Sequence, residues 1–287
     1  MKIGIFFCSK IRKMNLKIAI QGIQGSFHHQ VAHQYFDERI QLHECSSFKE
    51  VVMSLKSNQS EKAVMAIENS IAGAILPNYA LIDKNELHII GEVYLDIDMN
   101  LMVFPNQKIE DIAEVHSHPI ALLQCADFFN EYPHIKLVES SDTAITAKRI
   151  QEGSVKNIGA LASPVAAKTY DLEIIAKSVH TVKSNKTRFV ILKNSNKEIS
   201  KELINKASIK FELEDNPGAL ATVLNVLNNS KLNLTKIQSL PVIETPFTYA
   251  FFVDVVFEKH KHFEKATKIL ELMTTHFKVL GQYQRAN

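Results

Sequence analysis

Tryptophan is absent from the 287 residues, and only three are cysteine: Cys8, Cys45 and Cys125. Their number is odd, their spacing is wide and no CxxC occurs. That argues against a disulfide framework or a zinc knuckle and fits a reducing, cytoplasmic setting. An excess of one charge is also missing. Lys and Arg total 33 against 31 Asp and Glu, a formal net charge of +2, so nothing in the charge balance calls for nucleic acid as a partner. Long apolar runs are lacking too. The opening "IGIFF" is too short for a secretory core, and no stretch approaches the roughly 20 residues of a membrane helix. Neither GxGxxG nor a P-loop GKS or GKT is present, which disfavours dinucleotide and nucleoside triphosphate binding. His116 and His118, and His29 and His33, are spaced like metal ligands but lack a third donor, so no metal is expected. Cys125 falls within an amphipathic pattern and reads as a packed thiol.

Hydrophobic residues make up 46% of the chain, enough for a core, and the length suggests two domains of ordinary size. Residues 1–15 read as an N-terminal extension, since the first convincing strand is "LKIAI". From there β-α-β-α-β alternation predicts a parallel sheet with helices on its faces. The long β-rich stretch "LHIIGEVYLDIDMNLMVF" carries the chain into a second lobe, where strands and helices alternate again. One of these helices is read as continuous over "HPIALLQCADFFNEY". "LEIIAKSVH" then leads back to "NKTRFVIL". The polar segment 195–206 reads as a linker. After it the order β-α-β-β-α-β over 207–287 is that of a ferredoxin-like module.

Four motifs carry chemistry, each beside a plainer reading. "GIQGSF" (Gly22 to Phe27) joins a strand to a helix and could present N–H groups and Ser26 to an anion, or be a tight turn. "IENSIAG" places Glu68, Asn69 and Ser70 after a strand, where a ligand could sit or a helix be capped. "SSDTAITAKR" puts Thr143 at a helix start, which capping explains by itself. "NKTRF" is harder to dismiss. A hydroxyl and a guanidinium stand side by side where a buried strand begins, and a buried guanidinium needs a partner. A ligand carboxylate would serve, and so would a distant Asp or Glu of the chain.

Taken with "SHP", Gln124–Cys125 and "ALAS" followed by Ala166, Ala167 and Tyr170, these motifs closely resemble prephenate dehydratase from about Leu16 to Leu192. The rest resembles the ACT regulatory domain that follows in that family. The resemblance implies an α/β fold: a two-lobed catalytic domain over 16–194, like type II periplasmic binding proteins, followed by a βαββαβ ACT domain. It implies decarboxylating dehydration of prephenate to phenylpyruvate, with no cofactor and no metal. Thr187 is then the hydrogen-bond donor to the departing hydroxide, acting as an oriented donor because a threonine hydroxyl is a very weak acid. Arg188 is expected to hold a substrate carboxylate and Phe189 to line the pocket. Asn185, Ser26, Glu68, Asn69 and Ser70 are expected along the cleft, with His118, Gln124 and Thr143 on the facing lobe. Where the family usually has Thr-Phe-Ser after the second glycine, this chain has Ser26, Phe27 and His28, and His28 could titrate.

"NPGAL" matches the effector motif of the ACT domain and implicates Asn216, Gly218, Ala219 and Leu220 in binding L-phenylalanine. The second effector motif, usually Glu-Ser-Arg-Pro, reads Gln238, Ser239, Leu240, Pro241. Both charges are gone, which alters the effector site or the domain interface around Gln238 and Ser239. A homodimer or homotetramer paired through this domain is expected, as is feedback by phenylalanine. The alternatives are an arogenate dehydratase and a non-catalytic small-molecule sensor.

Overall fold

The structure, a computed structural model, describes residues 15–36, 39–195, 201–242, 245 and 248–286. The expected extension over 1–15, apart from Asn15, and the middle of the expected linker (196–200) lie outside them, as does Cys8. Chain order in the first lobe is β1 (Leu16–Gln21), α1 (Phe27–Phe36), β2 (Ile40–Cys45), α2 (Phe48–Lys56), β3 (Lys62–Asn69), β4 (Gly73–Ala74), α3 (Leu76–Lys84) and β5 (His88–Asp96). The second lobe holds β6 (Asn100–Val103), β7 (Glu114–Ser117), α4 (Pro119–Gln124), α5 (Ala126–Phe129), β8 (Lys136–Glu139), α6 (Thr143–Gly153), β9 (Ile158–Ala162), α7 (Pro164–Thr169) and β10 (Glu173–Ala176). The chain returns to the first lobe as β11 (Lys186–Lys193). The C-terminal domain is β12 (Lys206–Glu214), α8 (Ala219–Asn229), β13 (Asn233–Pro241), β14 (Thr248–Val256), α9 (His260–Met273) and β15 (Thr275–Tyr283).

In the first lobe β1, β2 and β3 pair in parallel, as the alternation predicts. "AVMAI" in β3 is apolar without a break because both faces of the strand are covered. β11 inserts antiparallel between β3 and β5, so the strand holding "TRF" occupies the middle of the sheet. The second lobe is a separate sheet in the order β10-β6-β9-β7-β8.

The expected helix over "HPIALLQCADFFNEY" is broken at Cys125 (φ −108°, ψ 5°), which ends α4 at Gln124. The two free cysteines among the described residues, Cys45 and Cys125, are both buried, and Cys125 packs in the core.

The C-terminal domain has the βαββαβ order, and its sheet does not stand apart. β15 meets β5 in parallel at Gly281 and Ile89, so one continuous sheet runs through both domains. A Cβ on Gly281 would lie 2.1 Å from the Ile89 carbonyl oxygen, which explains glycine at the join. Strand alternation sorts the side chains of β14. Val253 and Val255 pack with Val223, Leu227, Phe263 and Leu270 of α8 and α9. Ala250 and Phe252 pack instead with Tyr79, Ile82 and Ile89 of the first lobe. The open face of the regulatory sheet is thereby covered by the catalytic domain. Lys210 and Lys278 reinforce the contact, each ion-paired with Asp83 at 2.8 and 2.9 Å.

Candidate active site

The turn before α1 and the two caps of α7 bring the lobes together. Ser163 Oγ donates to the Gly25 carbonyl at 2.7 Å, and the Tyr170 hydroxyl donates to the Gln24 carbonyl at 2.7 Å. Gly25 has φ +87°, and a Cβ there would sit 3.0 Å from Ala166 Cα. The glycine is required twice over, by its backbone and by the approach of the other lobe. "GIQGSF" and "ALAS…AA…Y", separate in the sequence, are therefore one contact.

Deeper in, β3 and β11 set Asn69 opposite Thr187. The backbone N–H groups of Ile71 and Ala72 donate to Asn69 Oδ1 at 3.0 and 2.8 Å. That fixes which end of the amide points inward. Asn69 Nδ2 donates to Thr187 Oγ1 at 2.9 Å and to Asn185 Oδ1 at 2.6 Å. Asn185, fully buried, then donates through Nδ2 to Gln124 Oε1 at 3.0 Å, across the lobes. The chain of donors has one direction. Thr187 Oγ1 receives a hydrogen bond from Asn69, so its own proton is left to donate elsewhere. Ser70 closes the same corner: its Oγ accepts from Lys186 N at 2.9 Å and donates to the Ser184 carbonyl at 3.2 Å.

Three expected site residues are placed differently. Arg188, 2% exposed, does not face the cleft. Its Nε donates to Glu92 Oε2 at 2.8 Å, its Nη1 pairs with Asp254 Oδ2, and its Nη2 donates to the Tyr283 hydroxyl at 3.0 Å. The acids come from 96 and 66 residues away. The reason is the period of a strand: if Thr187 points into the cleft, its neighbour points out of it. Glu68, directly opposite Arg188, shares that outer face, with Oε1 2.9 Å from Lys236 Nζ and Oε2 3.9 Å from Arg188 Nη1. Arg188 thus spends its donors inside the protein, and Glu68, its side chain 36% exposed, faces the same way. Phe189 returns to the cleft side but lies in the core, 2% exposed, edge-on to His28 at 5.0 Å. It supports the site from beneath and offers no face to a ligand.

Ser26, His118 and Thr143 stand at helix starts. Ser26 Oγ accepts from His29 N at 3.2 Å, and His118 Nδ1 accepts from Ile120 N at 3.3 Å. Thr143 follows the N-cap Asp142, whose carboxylate accepts from Ala144 N at 2.7 Å. Burial raises the Asp142 carboxyl above the ordinary range, against the backbone donors that lower it. A Cβ on Gly22 (φ +90°) would meet Asp142 Oδ2 at 2.8 Å and Ser26 Cβ at 3.3 Å, so the turn leading into α1 meets the N-cap of α6 across the lobes.

His28 is not a titrating site residue near neutrality. It is buried between Phe48 and Phe189, accepts from Ala66 N at 3.3 Å, and burial lowers its pKa from 6.5 to about 3. Between those values the unfolded chain binds a proton that the folded chain refuses. Stability is therefore fully present above pH 6.5 and declines as the pH falls toward 3. His28→Gln keeps an acceptor for Ala66 N and removes the proton. The loss of stability in urea melts between pH 7 and pH 4.5 should shrink by roughly 2–3 kcal/mol relative to wild type. An unchanged difference would assign that slope to other groups, among them His29, lowered to about 4 by burial and then by His33.

In the C-terminal domain, Gly218 (φ +82°) is the N-cap of α8, and Ala219 N donates to the Asn216 carbonyl at 3.1 Å. Leu213 and Pro241 both pair with Tyr249, so the turn holding Asn216, Gly218, Ala219 and Leu220 lies at the same end of the sheet as the end of β13. Gln238 is opposite Phe252 and shares its side of the sheet, toward the catalytic domain; Ser239 is on the other side.

Asn69 and Asn185 are both expected along the cleft, but the hydrogen bond between them is not, nor is the identity of the acids that hold Arg188. The first had a signal, since two asparagines flank "IE" and "KT" in strands already placed at the cleft. The second had only the strand period.

A family model described as prephenate dehydratase matches residues 18–197, and one described as ACT domain matches 207–262. The bifunctional chorismate mutase/prephenate dehydratase of Buchnera aphidicola is 32% identical over 281 residues, covering 96% of this chain and 73% of that protein. Among solved structures, GqqA, described as a novel type of quorum quenching acylase, superimposes with a TM-score of 0.84 at 26% identity, covering 94% of this chain and 98% of its own. Prephenate dehydratase from Arthrobacter aurescens in complex with L-Phe superimposes with a TM-score of 0.85 at 24% identity, covering 94% and 90%. On the extent of these matches, this chain belongs to the prephenate dehydratase family.

Proposed function

We propose that this chain converts prephenate to phenylpyruvate. The carrying observation is the fixed direction of the Asn69–Thr187 hydrogen bond, which leaves the Thr187 proton to donate. In the reaction the bond to the ring carboxylate breaks and carbon dioxide leaves. Its electron pair completes the aromatic ring, and the C–O bond opposite breaks to release hydroxide. The protein must stabilise negative charge gathering on that oxygen, which an oriented hydroxyl in a dry site does without reorganising. Aromatisation supplies much of the driving force, so no strong acid is needed.

With Arg188 turned away, the substrate carboxylates need other partners. The turn leading into α1 and the N-cap of α6, which meet across the lobes, place helix N-terminal amides at the inter-lobe contact, where anions are favoured. Neither first turn contains an acid, although the Asp142 cap lies beside them. Gln124, whose oxygen is engaged by Asn185, has its amide donor left for the ligand.

An acylase, the activity named for GqqA, needs a nucleophile beside a base. Thr187 has an amide donor on its oxygen instead, which disfavours that reading here. The name of the Buchnera relative carries prephenate and not the amino analogue, so arogenate is the second substrate to try.

The regulatory reading is L-phenylalanine bound at the end of the C-terminal sheet, near Asn216, Gly218, Ala219, Leu220, Gln238 and Ser239. The Arthrobacter structure with L-Phe supports it. A homodimer or homotetramer would form through this domain, whose strand β13 is an edge of the sheet. No helix among the described residues is long and apolar enough to cross a membrane, and we place the chain in the cytosol.

The test is incubation of purified protein with prephenate, following phenylpyruvate with and without L-phenylalanine, with arogenate in a parallel series. Turnover above the spontaneous rate is expected with prephenate. A rate no higher than the spontaneous one would remove the enzyme reading.

A further inference from the structure

The ion cluster behind Thr187 joins the two domains. Three cations, Arg188, Lys206 and Lys236, face three carboxylates, Glu68, Glu92 and Asp254. Arg188, Glu68 and Glu92 belong to the catalytic domain; Lys206, Lys236 and Asp254 belong to the regulatory one. Tyr283 and Ser208 complete it: Ser208 Oγ donates to Asp254 Oδ1 and lies 2.8 Å from the Tyr283 hydroxyl.

This cluster grips the one place where the β3–β11 ladder is irregular. Thr187 pairs with Asn69 and Arg188 with Glu68, but the next residue, Phe189, pairs with Ala66. Ile67 is passed over. A bulge interrupts the ladder and re-aims what lies beyond it, so β3 does not carry its register through to Asn69 and Thr187, although β11 stays in register with β5 from Lys186 to Ile191. On the β3 side, the outer face supplies a second hold. Arg188 is tied there to Asp254, and Glu68 to Lys236. Asp254 and Lys236 are themselves a directly opposed pair on β14 and β13.

We propose that Asp254 and Lys236 of the regulatory domain are positioning residues for Thr187, acting through Arg188 and Glu68. The inference rests on Thr187 being the hydroxide-side donor. It also gives the regulatory domain a direct line to the reaction. Lys236 lies two residues before Gln238 on the same side of β13, so a ligand that shifts this strand shifts the support of the catalytic one.

The test uses the full-length chain with Arg188→Met and Asp254→Leu combined. Removing one cation with one carboxylate leaves the cluster balanced, so the variant is expected to fold, as checked by its melting curve. Two quantities are read: kcat and KM for prephenate, and hydrogen–deuterium exchange of the segment 185–193. Expected are a fall in kcat of about tenfold or more with KM within about threefold, since small misplacements act on the reacting geometry. Exchange in the first half of that segment should rise. Lys236→Met should move both in the same direction by less, and Asp254→Glu, which keeps the charge, should retain most of the wild-type kcat.

A folded double variant with wild-type kcat would overturn the proposal, whatever its exchange shows. So would a loss of kcat with wild-type exchange. If the wild-type protein fails to turn over prephenate, the proposed function fails separately. The exchange measurement then still decides whether the regulatory domain holds β11, and unchanged exchange overturns that too.

Discussion

Thr187→Val lowers kcat for prephenate by about two orders of magnitude or more, the scale for loss of one positioned donor, and leaves KM within a few-fold. Valine fills the same space, so the packing around β11 is kept. Asn69 Nδ2 loses one acceptor but retains Asn185 Oδ1 at 2.6 Å and the Lys186 carbonyl at 3.3 Å. What disappears is the proton aimed away from Asn69. Two companions separate this from a packing effect. Thr187→Ser keeps the hydroxyl and should lie much closer to wild type. Asn69→Asp replaces the amide donor by a carboxylate that accepts. Thr187 would then turn its proton toward position 69, and kcat should fall nearly as far as in the valine variant although Thr187 is intact. A near-normal kcat in Thr187→Val would mean that another group protects the departing oxygen. The relay through Asn69, Asn185 and Gln124 would then have to be read as structural.

The opposed orientations of Thr187 and Arg188 also show what the sequence could and could not tell. The alternation of short apolar runs with amphipathic stretches was enough to find both α/β lobes and the βαββαβ order, because periodicity reports which face of an element is buried. "NKTRF" was legible as a site because polar groups opened a buried strand. Its partners were not. Glu92 and Asp254 lie in other strands, and no local pattern links them to Arg188. The strand period of two, applied to Thr187 and Arg188 together, forbids both from facing one cleft, and it outweighs the attraction of a basic residue beside an anionic substrate. Glu68 has the same explanation, since it sits opposite Arg188. The continuous sheet was hidden for a different reason. It depends on a single contact, Gly281 against Ile89, and one glycine in a strand has many uses.

Arg188→Leu should be the most damaging single substitution for stability. The guanidinium is buried with Glu92, Asp254 and Tyr283 around it. Burial disfavours its charge, but the adjacent carboxylates more than compensate and raise its pKa above the ordinary range. Asp254 shows the converse: burial pushes it up, yet Arg188 beside it brings it below the usual range. Leucine leaves Glu68, Glu92 and Asp254 facing only Lys206 and Lys236, with one negative charge in excess, and Asp254 without the cation that pairs with it. Breaking a buried pair from one side costs about 3–5 kcal/mol. For domains of this size that corresponds to a fall in melting temperature of about 6–20 °C. Replacing both partners should recover most of it, because Arg188→Met with Asp254→Leu removes the excess charge along with the pair. The measurement is thermal unfolding of the single and double variants beside wild type, with KM taken well below the transitions. KM for prephenate should stay within a few-fold of wild type in both. A stable Arg188→Leu protein with a greatly raised KM would show that the guanidinium leaves its acids to meet the substrate, and the outward orientation would have to be abandoned.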